Sequence, residues 1–202
     1  MEFGEVVRHR RMVRNFEDRP VPDASLERIL DHARRAPSAG HTQGASFLVL
    51  VDPDEVGRFW DCTFPAERRS TFRWPGLFRA PVVVLPCASK EAYLDRYAEP
   101  DKGWTDRAEE RWPVPYWHID TGMASLLMLL TVVDAGLGAC FFGIPPEHHE
   151  SFRDGFGVPD GYVPIGAIAI GHRAPDRLSP SLRRGRRGLD DVVHRGRWTP
   201  AE

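Results

Sequence analysis

A chain of 202 residues, 42% of them hydrophobic, is long enough to bury a sizeable core and suits one globular domain. Its formal net charge of −2 excludes the broad basic field of a nucleic-acid binder, although 27 basic residues are present, all but Lys90 and Lys102 of them arginine. Three cysteines (Cys62, Cys87, Cys140) without CxxC spacing make neither a disulfide framework nor a zinc site, and the N-terminus carries no signal-like apolar core, so a reducing, cytoplasmic setting is expected.

Residues Glu2 to Arg8 predict a short helix, followed by Arg10-Arg11-Met12-Val13-Arg14, three arginines in five residues. Leu26, Ile29, Leu30 and Ala33 fall at helical spacing behind Asp23, the expected N-cap, and this helix stops at Pro37. The small, hydrogen-bonding run Pro37-Ser38-Ala39-Gly40-His41-Thr42-Gln43 lets backbone approach a ligand closely. Ser46 to Val51 and Pro81 to Pro86 read as buried strands. The charged, Pro-rich segment Ala98 to Pro115 carries Trp104 and Trp112 and is expected to be a loop that partly covers the site and stacks aromatic substrates.

Trp117 to Ala135 is apolar nearly all round and predicts the central buried helix. Its apolar stretch, Gly122 to Val133, is too short to span a bilayer, so no membrane is expected as a partner. Gly136-Leu137-Gly138 ends that helix, Ala139 to Phe142 starts a strand, and Val163 to Ile170 is a last strand in a crowded interior. Strands separated by helices predict an α/β or α+β layered domain over residues 1–172. Residues 173–202 form an Arg-rich extension that reads as a solvated tail, a nucleic-acid arm or a segment crossing a partner subunit; the interspersed Asp190 and Asp191 disfavour nucleic acid. His118 with Asp120, and His148-His149-Glu150, are short common patterns not expected to meet at one centre, so no metal is predicted. Cys140 reads as a small buried apolar residue.

Four segments resemble the nitroreductase family of flavoproteins, in family order. Arg10-Arg11-Met12-Val13-Arg14 resembles its Arg-Arg-Ser-x-Arg motif, and Pro37 to Gln43 resembles Pro-Ser-x-x-Asn-x-Gln. Gly136 to Pro145 looks like the Gly-Leu-Gly segment, and Arg186-Arg187-Gly188-Leu189-Asp190-Asp191-Val192-Val193 looks like the C-terminal basic segment. The resemblance implies an α+β fold with a central, mostly antiparallel sheet flanked by helices, and a C-terminal extension lying on the partner of a homodimer. It implies FMN as cofactor, held at its ribityl chain and phosphate by Arg10, Arg11, Arg14, Arg186 and Arg187, with Met12 at the position of a hydroxyl contact to the flavin. It implies ring contacts from Pro37, Ser38, Ala39, Gly40, His41 and Gln43, usually of the neighbouring subunit, and a backbone N–H near Phe142 and Gly143 facing the reactive N5. Guanidinium forks suit phosphate because they offer fixed, bidentate donors.

The implied activity is hydride transfer from NADH or NADPH through flavin to a small electron-poor acceptor (a nitroaromatic, a quinone or similar) by a ping-pong mechanism. The flavin carries the chemistry, so no catalytic side chain is expected, and His41, Trp104 and Trp112 are the candidate substrate contacts. A flavin-dependent dehydrogenase of a biosynthetic intermediate, a deazaflavin-using relative and a non-catalytic flavin-binding protein are the alternatives. The chain departs from the pattern at Met12 (usually Ser), at His41 (usually Asn) and at Gly44-Ala45, where a Pro and an aromatic usually follow Gln43. It also departs at Phe72-Arg73-Trp74-Pro75-Gly76, where relatives often provide an Asn or Lys to the flavin.

Overall fold

The computed structural model describes residues 1–198. Its helices are α1 (Phe3–His9), α2 (Asp23–Ala33), α3 (Pro53–Thr63), α4 (Ala66–Ser70), α5 (Lys90–Ala98), α6 (Tyr116–Asp134) and α7 (His149–Phe156). Its strands are β1 (Ala45–Leu50), β2 (Val82–Ala88), β3 (Gly138–Phe142), β4 (Val163–Pro164) and β5 (Ala167–Gly171). The strands form one sheet in the order β1-β2-β5-β3, with β4 also on β2, and every ladder is antiparallel.

The period-2 alternation of a strand sends successive side chains to opposite faces, and here both faces are covered. Val82, Val84, Ile168, Ile170 and Ala139 pack beneath Ile29 and Ala33 of α2 and Met128, Leu129 and Val132 of α6. Val83, Leu85, Cys87, Ala169 and Cys140 face Val56, Phe59 and Trp60 of α3 and Phe152 of α7. This double cover is why the β2 run reads as continuously apolar, and it gives the α+β architecture expected from the resemblance. Burial pushes the Cys87 and Cys140 thiols up to about 11, so both stay neutral and act as small apolar groups.

Three details differ from expectation. Asp23 is the first residue of α2, not its N-cap; Pro22 occupies that position and no side chain caps the helix. By contrast, Asp52 and Ser89 do cap α3 and α5, accepting from the Asp54 and Ala92 amides. Helix α6 is 19 residues long, enough by length and composition to cross a bilayer, but 56% of its most apolar window is buried inside the protein. Its apolar residues are required by the sheet it covers.

The last expected strand, Val163 to Ile170, is broken into β4 and β5. Between the pairs Val84↔Ile168 and Cys87↔Pro164, three steps along β2 face four on the returning strand. The extra residue makes a β-bulge, with Gly166 at φ 153° and the Ile165 amide donating to the Pro86 carbonyl. Pro86 cannot donate to a ladder, and it sits at this irregularity.

Candidate active site

The chain leaving α1 runs along the outer edge of β3. Met12 bridges Ala139, and the Val13 amide donates to the Ala139 carbonyl at 2.8 Å. The Phe141 amide, which an edge strand would leave open, donates to Met12 Sδ at 3.3 Å. The departure from Ser at position 12 thus has a structural counterpart: the thioether covers the strand edge. The Arg14 amide donates to Asp176 Oδ2 at 2.7 Å, which ties the start of the C-terminal extension to this turn.

Arg14 also lines an apolar cavity of about 240 Å³ whose walls include Trp60, Phe64, Phe72, Phe142 and Gly143. Gly143, just beyond β3, is exposed, and its amide has no hydrogen-bond partner among the described residues. Among the described residues, Arg10, Arg11 and Arg14 pair with no carboxylate, whereas Arg28, Arg34, Arg35, Arg69, Arg96, Arg107, Arg111 and Arg153 all do. Burial, reinforced by the Arg11 charge, lowers the Arg173 guanidinium below its ordinary range, and its Nε donates to the Leu137 carbonyl at 2.8 Å. The turn therefore gathers uncompensated positive charge beside a free backbone donor, a donor set suited to an anionic cofactor.

Of residues 37–43, Pro37, Ser38 and Gln43 line a different cavity from Arg14, with Tyr93, Asp120 and Ala124. Gly40, His41 and Gln43 have φ of 61°, 55° and 54°. Two non-glycine residues with positive φ in one loop require external restraint. Asp120, buried on α6, supplies it: Oδ2 accepts from the Ala39 amide and from Tyr93 Oη, each at 2.7 Å. Burial and then the bond to Asp120 push the Tyr93 phenol upward, so it remains a donor. Arg96 Nε donates to the Gly40 carbonyl at 3.0 Å while its two terminal nitrogens bind Asp101. Within the loop, the Gln43 amide donates to Ser38 Oγ at 2.9 Å. A Cβ at Gly44 would lie 2.6 Å from the Tyr93 ring, which explains glycine where the family pattern has Pro. His41 and Gln43 are exposed, as is Pro37.

Trp104 and Trp112, the expected substrate contacts, are half-buried in an aromatic cluster. Tyr97 contacts both rings, with centroids at 4.9 and 4.6 Å, and Trp112 also meets Tyr93 and Trp117. Tyr97 packs so closely on Gly40 that a Cβ there would come within 2.7 Å of its ring. The aromatic cluster therefore braces the 37–43 loop from behind. Asp120, which the sequence offered only as half of a weak His-Asp metal pattern, is the anchor of the same loop.

Among the described residues, Arg186 and Arg187 form no hydrogen bond with the Arg10–Arg14 segment. Both are exposed, and Arg187 bonds locally to the Asp191 carbonyl. Leu178, Leu182, Leu189 and Trp198 of the extension are 62–80% exposed. On the body, Ile119 and Leu126 of α6 and Phe3 and Val7 of α1 are exposed as well. One chain thus carries an arginine turn and a polar loop that line different cavities, an extension with exposed apolar residues, and uncovered apolar side chains on the body.

Comparison with known proteins accords with this architecture. The Nitroreductase family model matches residues 7–172. A protein of Archaeoglobus fulgidus whose name pairs NADH dehydrogenase with NAD(P)H nitroreductase is 24% identical, covering 98% of this chain and 99% of its own. An NADH dehydrogenase of Thermus thermophilus is 27% identical over 83% of this chain and 84% of its own. Among solved structures, NfrA1 of B. megaterium superposes with a TM-score of 0.78 at 18% identity, covering 100% of this chain and 76% of that one. The chain belongs to the nitroreductase family.

Proposed function

We propose that this protein is an FMN-dependent oxidoreductase that works as a homodimer and passes hydride from NADH or NADPH to an electron-poor acceptor such as a nitroaromatic or quinone. The observation that carries this reading is the division of the site: unneutralised arginines and a free Gly143 amide at one place, a restrained polar loop at another, and exposed apolar surface beside them. Two copies would complete each other, each bringing its 37–43 loop and its Arg186-Arg187 pair to the other's Arg10–Arg14 turn. The exposed residues of α1, α6 and the extension would then be buried at the interface.

The residues fit FMN in kind. Arg10, Arg11 and Arg14, with Arg186 and Arg187 of the second copy, would hold its phosphate, and Met12, Phe142 and Gly143 would lie along the ring. Bound there, FMN supplies the hydride-accepting and hydride-donating chemistry, and both substrates use one face in turn. The Gly143 N–H offers a fixed donor at the reacting edge. The aromatic walls of the 240 Å³ cavity suit a planar, apolar acceptor. Pro37, Ser38, Ala39, Gly40, His41 and Gln43 would close the site from the second copy, held rigid by Asp120 and, through Tyr97, by Trp104 and Trp112.

Arg10→Ala and Arg14→Ala are expected to weaken FMN retention by about 1.5–3 kcal/mol each, the value of a charged hydrogen bond, which is roughly a ten- to hundredfold rise in Kd. Fluorescence titration of the apoprotein with FMN measures this; unchanged affinity in both variants would reject the phosphate assignment. Anaerobic bleaching of the bound-flavin spectrum by NADH or NADPH, and its recovery on adding an acceptor, tests the reaction.

A further inference from the structure

Beside the Arg14 turn lies a second, open cavity of about 480 Å³ that the reading above does not use. Asn15, Arg73, Trp74, Arg79, Asp176 and Arg177 line it. Three segments distant in sequence converge here: the turn after α1, the loop before β2 and the start of the extension. They are fixed to one another. The Asn15 side chain donates to the Pro175 carbonyl, Arg79 donates to Asn15 Oδ1 at 2.6 Å, and Trp74 Nε1 donates to the Arg177 carbonyl at 3.2 Å. Gly76 permits the convergence, since a Cβ there would overlap the Asn15 side chain.

The cavity is cationic. Among the described residues, Arg73, Arg79 and Arg177 form no ion pair with a carboxylate, and Asp176, the one acid in the lining, is engaged by the Arg14 amide. The Arg73 guanidinium lies 5.3 Å from the centre of the Trp74 ring, and that of Arg14 lies 5.1 Å from it. Arg14 also lines the apolar cavity at Phe142 and Gly143, so its contact with Trp74 links the two cavities. Three guanidiniums free of ion pairs, against the single carboxylate of Asp176, beside an indole suit a phosphorylated nucleoside: fork donors for a dianion and flat cationic surfaces for a base.

We infer that this cavity binds the 2′-phosphoadenosine end of NADPH, so that Arg73, Arg79 and Arg177 select NADPH over NADH as the electron donor. The inference rests on the flavoenzyme reading for its consequence, but the binding event can be measured without turnover. Isothermal titration of the FMN-loaded protein with adenosine 2′,5′-bisphosphate is expected to show binding that 5′-AMP does not match. Arg73→Ala and Arg177→Ala should each weaken it about tenfold. The same variants should raise KM for NADPH by a similar factor while leaving KM for NADH and the Kd for FMN unchanged. Arg177→Glu should abolish the preference for NADPH.

Equal affinity for the bisphosphate and 5′-AMP, or equal effects on NADPH and NADH, would overturn the inference. A loss of FMN affinity in Arg73→Ala or Arg177→Ala would assign the cavity to the phosphate of FMN instead. Should the protein bind no flavin at all, the functional reading fails, and titration of the flavin-free chain with the bisphosphate still decides the matter.

Discussion

Replacing Gly166 by alanine is expected to cost about 3–5 kcal/mol of stability, lowering the thermal midpoint by roughly 10–15 °C, and to disturb the active site together with the fold. Two effects combine. The backbone holds φ 153°, a conformation that L side chains rarely adopt, and a Cβ would lie 2.7 Å from the Phe142 carbonyl and 2.8 Å from the Phe141 ring. The Phe142 carbonyl cannot yield cheaply, because Phe142 is paired with Ala167 in the sheet. Any relief moves the end of β3, which carries Gly143. Gly157→Ala provides the control: its φ is 63° but nothing lies within 4 Å of the added Cβ. It should cost only about 1 kcal/mol, the backbone part alone. Equal thermal midpoints for the two variants would show that the close approach at Phe142 carries no energy.

Asp120→Ala is the second large effect. It leaves the Ala39 amide and the Tyr93 hydroxyl without their acceptor, and each unsatisfied buried donor costs about 1–3 kcal/mol, so a loss of roughly 2–5 kcal/mol is expected. Asp120→Asn keeps one oxygen that can accept both bonds and should lose only about 1–2 kcal/mol, the difference between charged and neutral hydrogen bonds. Tyr93→Phe removes one donor and leaves the loop bond intact. Chemical denaturation orders the three, with Ala worst. Flavin retention should fall in Asp120→Ala beyond what stability explains, because the 37–43 loop loses its restraint, and it should persist in Tyr93→Phe. If Asp120→Ala held the loop and the flavin as wild type does, the anchoring role would be wrong.

Much of the fold could be read from local pattern because the pattern had one physical meaning. Four consecutive apolar residues from Val82 to Leu85, bounded by prolines, suit only a strand covered on both faces, and α6 is apolar all round because it covers one of those faces while exposing Ile119 and Leu126 on its far side. The bulge at Gly166 was not legible, since register belongs to two strands at once and glycine among small residues also describes simple crowding. Asp23 misled because proline at the preceding position took the N-cap place. Around the candidate site, the arginine cluster at 10–14 and the positive-φ turn at Gly40 were legible from residue type. Asp120 was not, because its partners, Ala39 and Tyr93, come from elements far away in the chain. The same holds for Arg73, Arg79 and Arg177, which meet only after the extension has turned back past Asn15.

The extension also governs how defects in this protein would combine. In the proposed homodimer, where Arg186 and Arg187 would serve the other copy's Arg10–Arg14 turn, a lesion in the extension would injure the site of the other copy, whereas a lesion at Arg10 would injure the site on its own chain. In a mixed pair built from one chain of each kind, one site would inherit both lesions and the other neither. Two individually inactive variants would therefore restore one of the two sites in each mixed pair, the inheritance pattern of intragenic complementation.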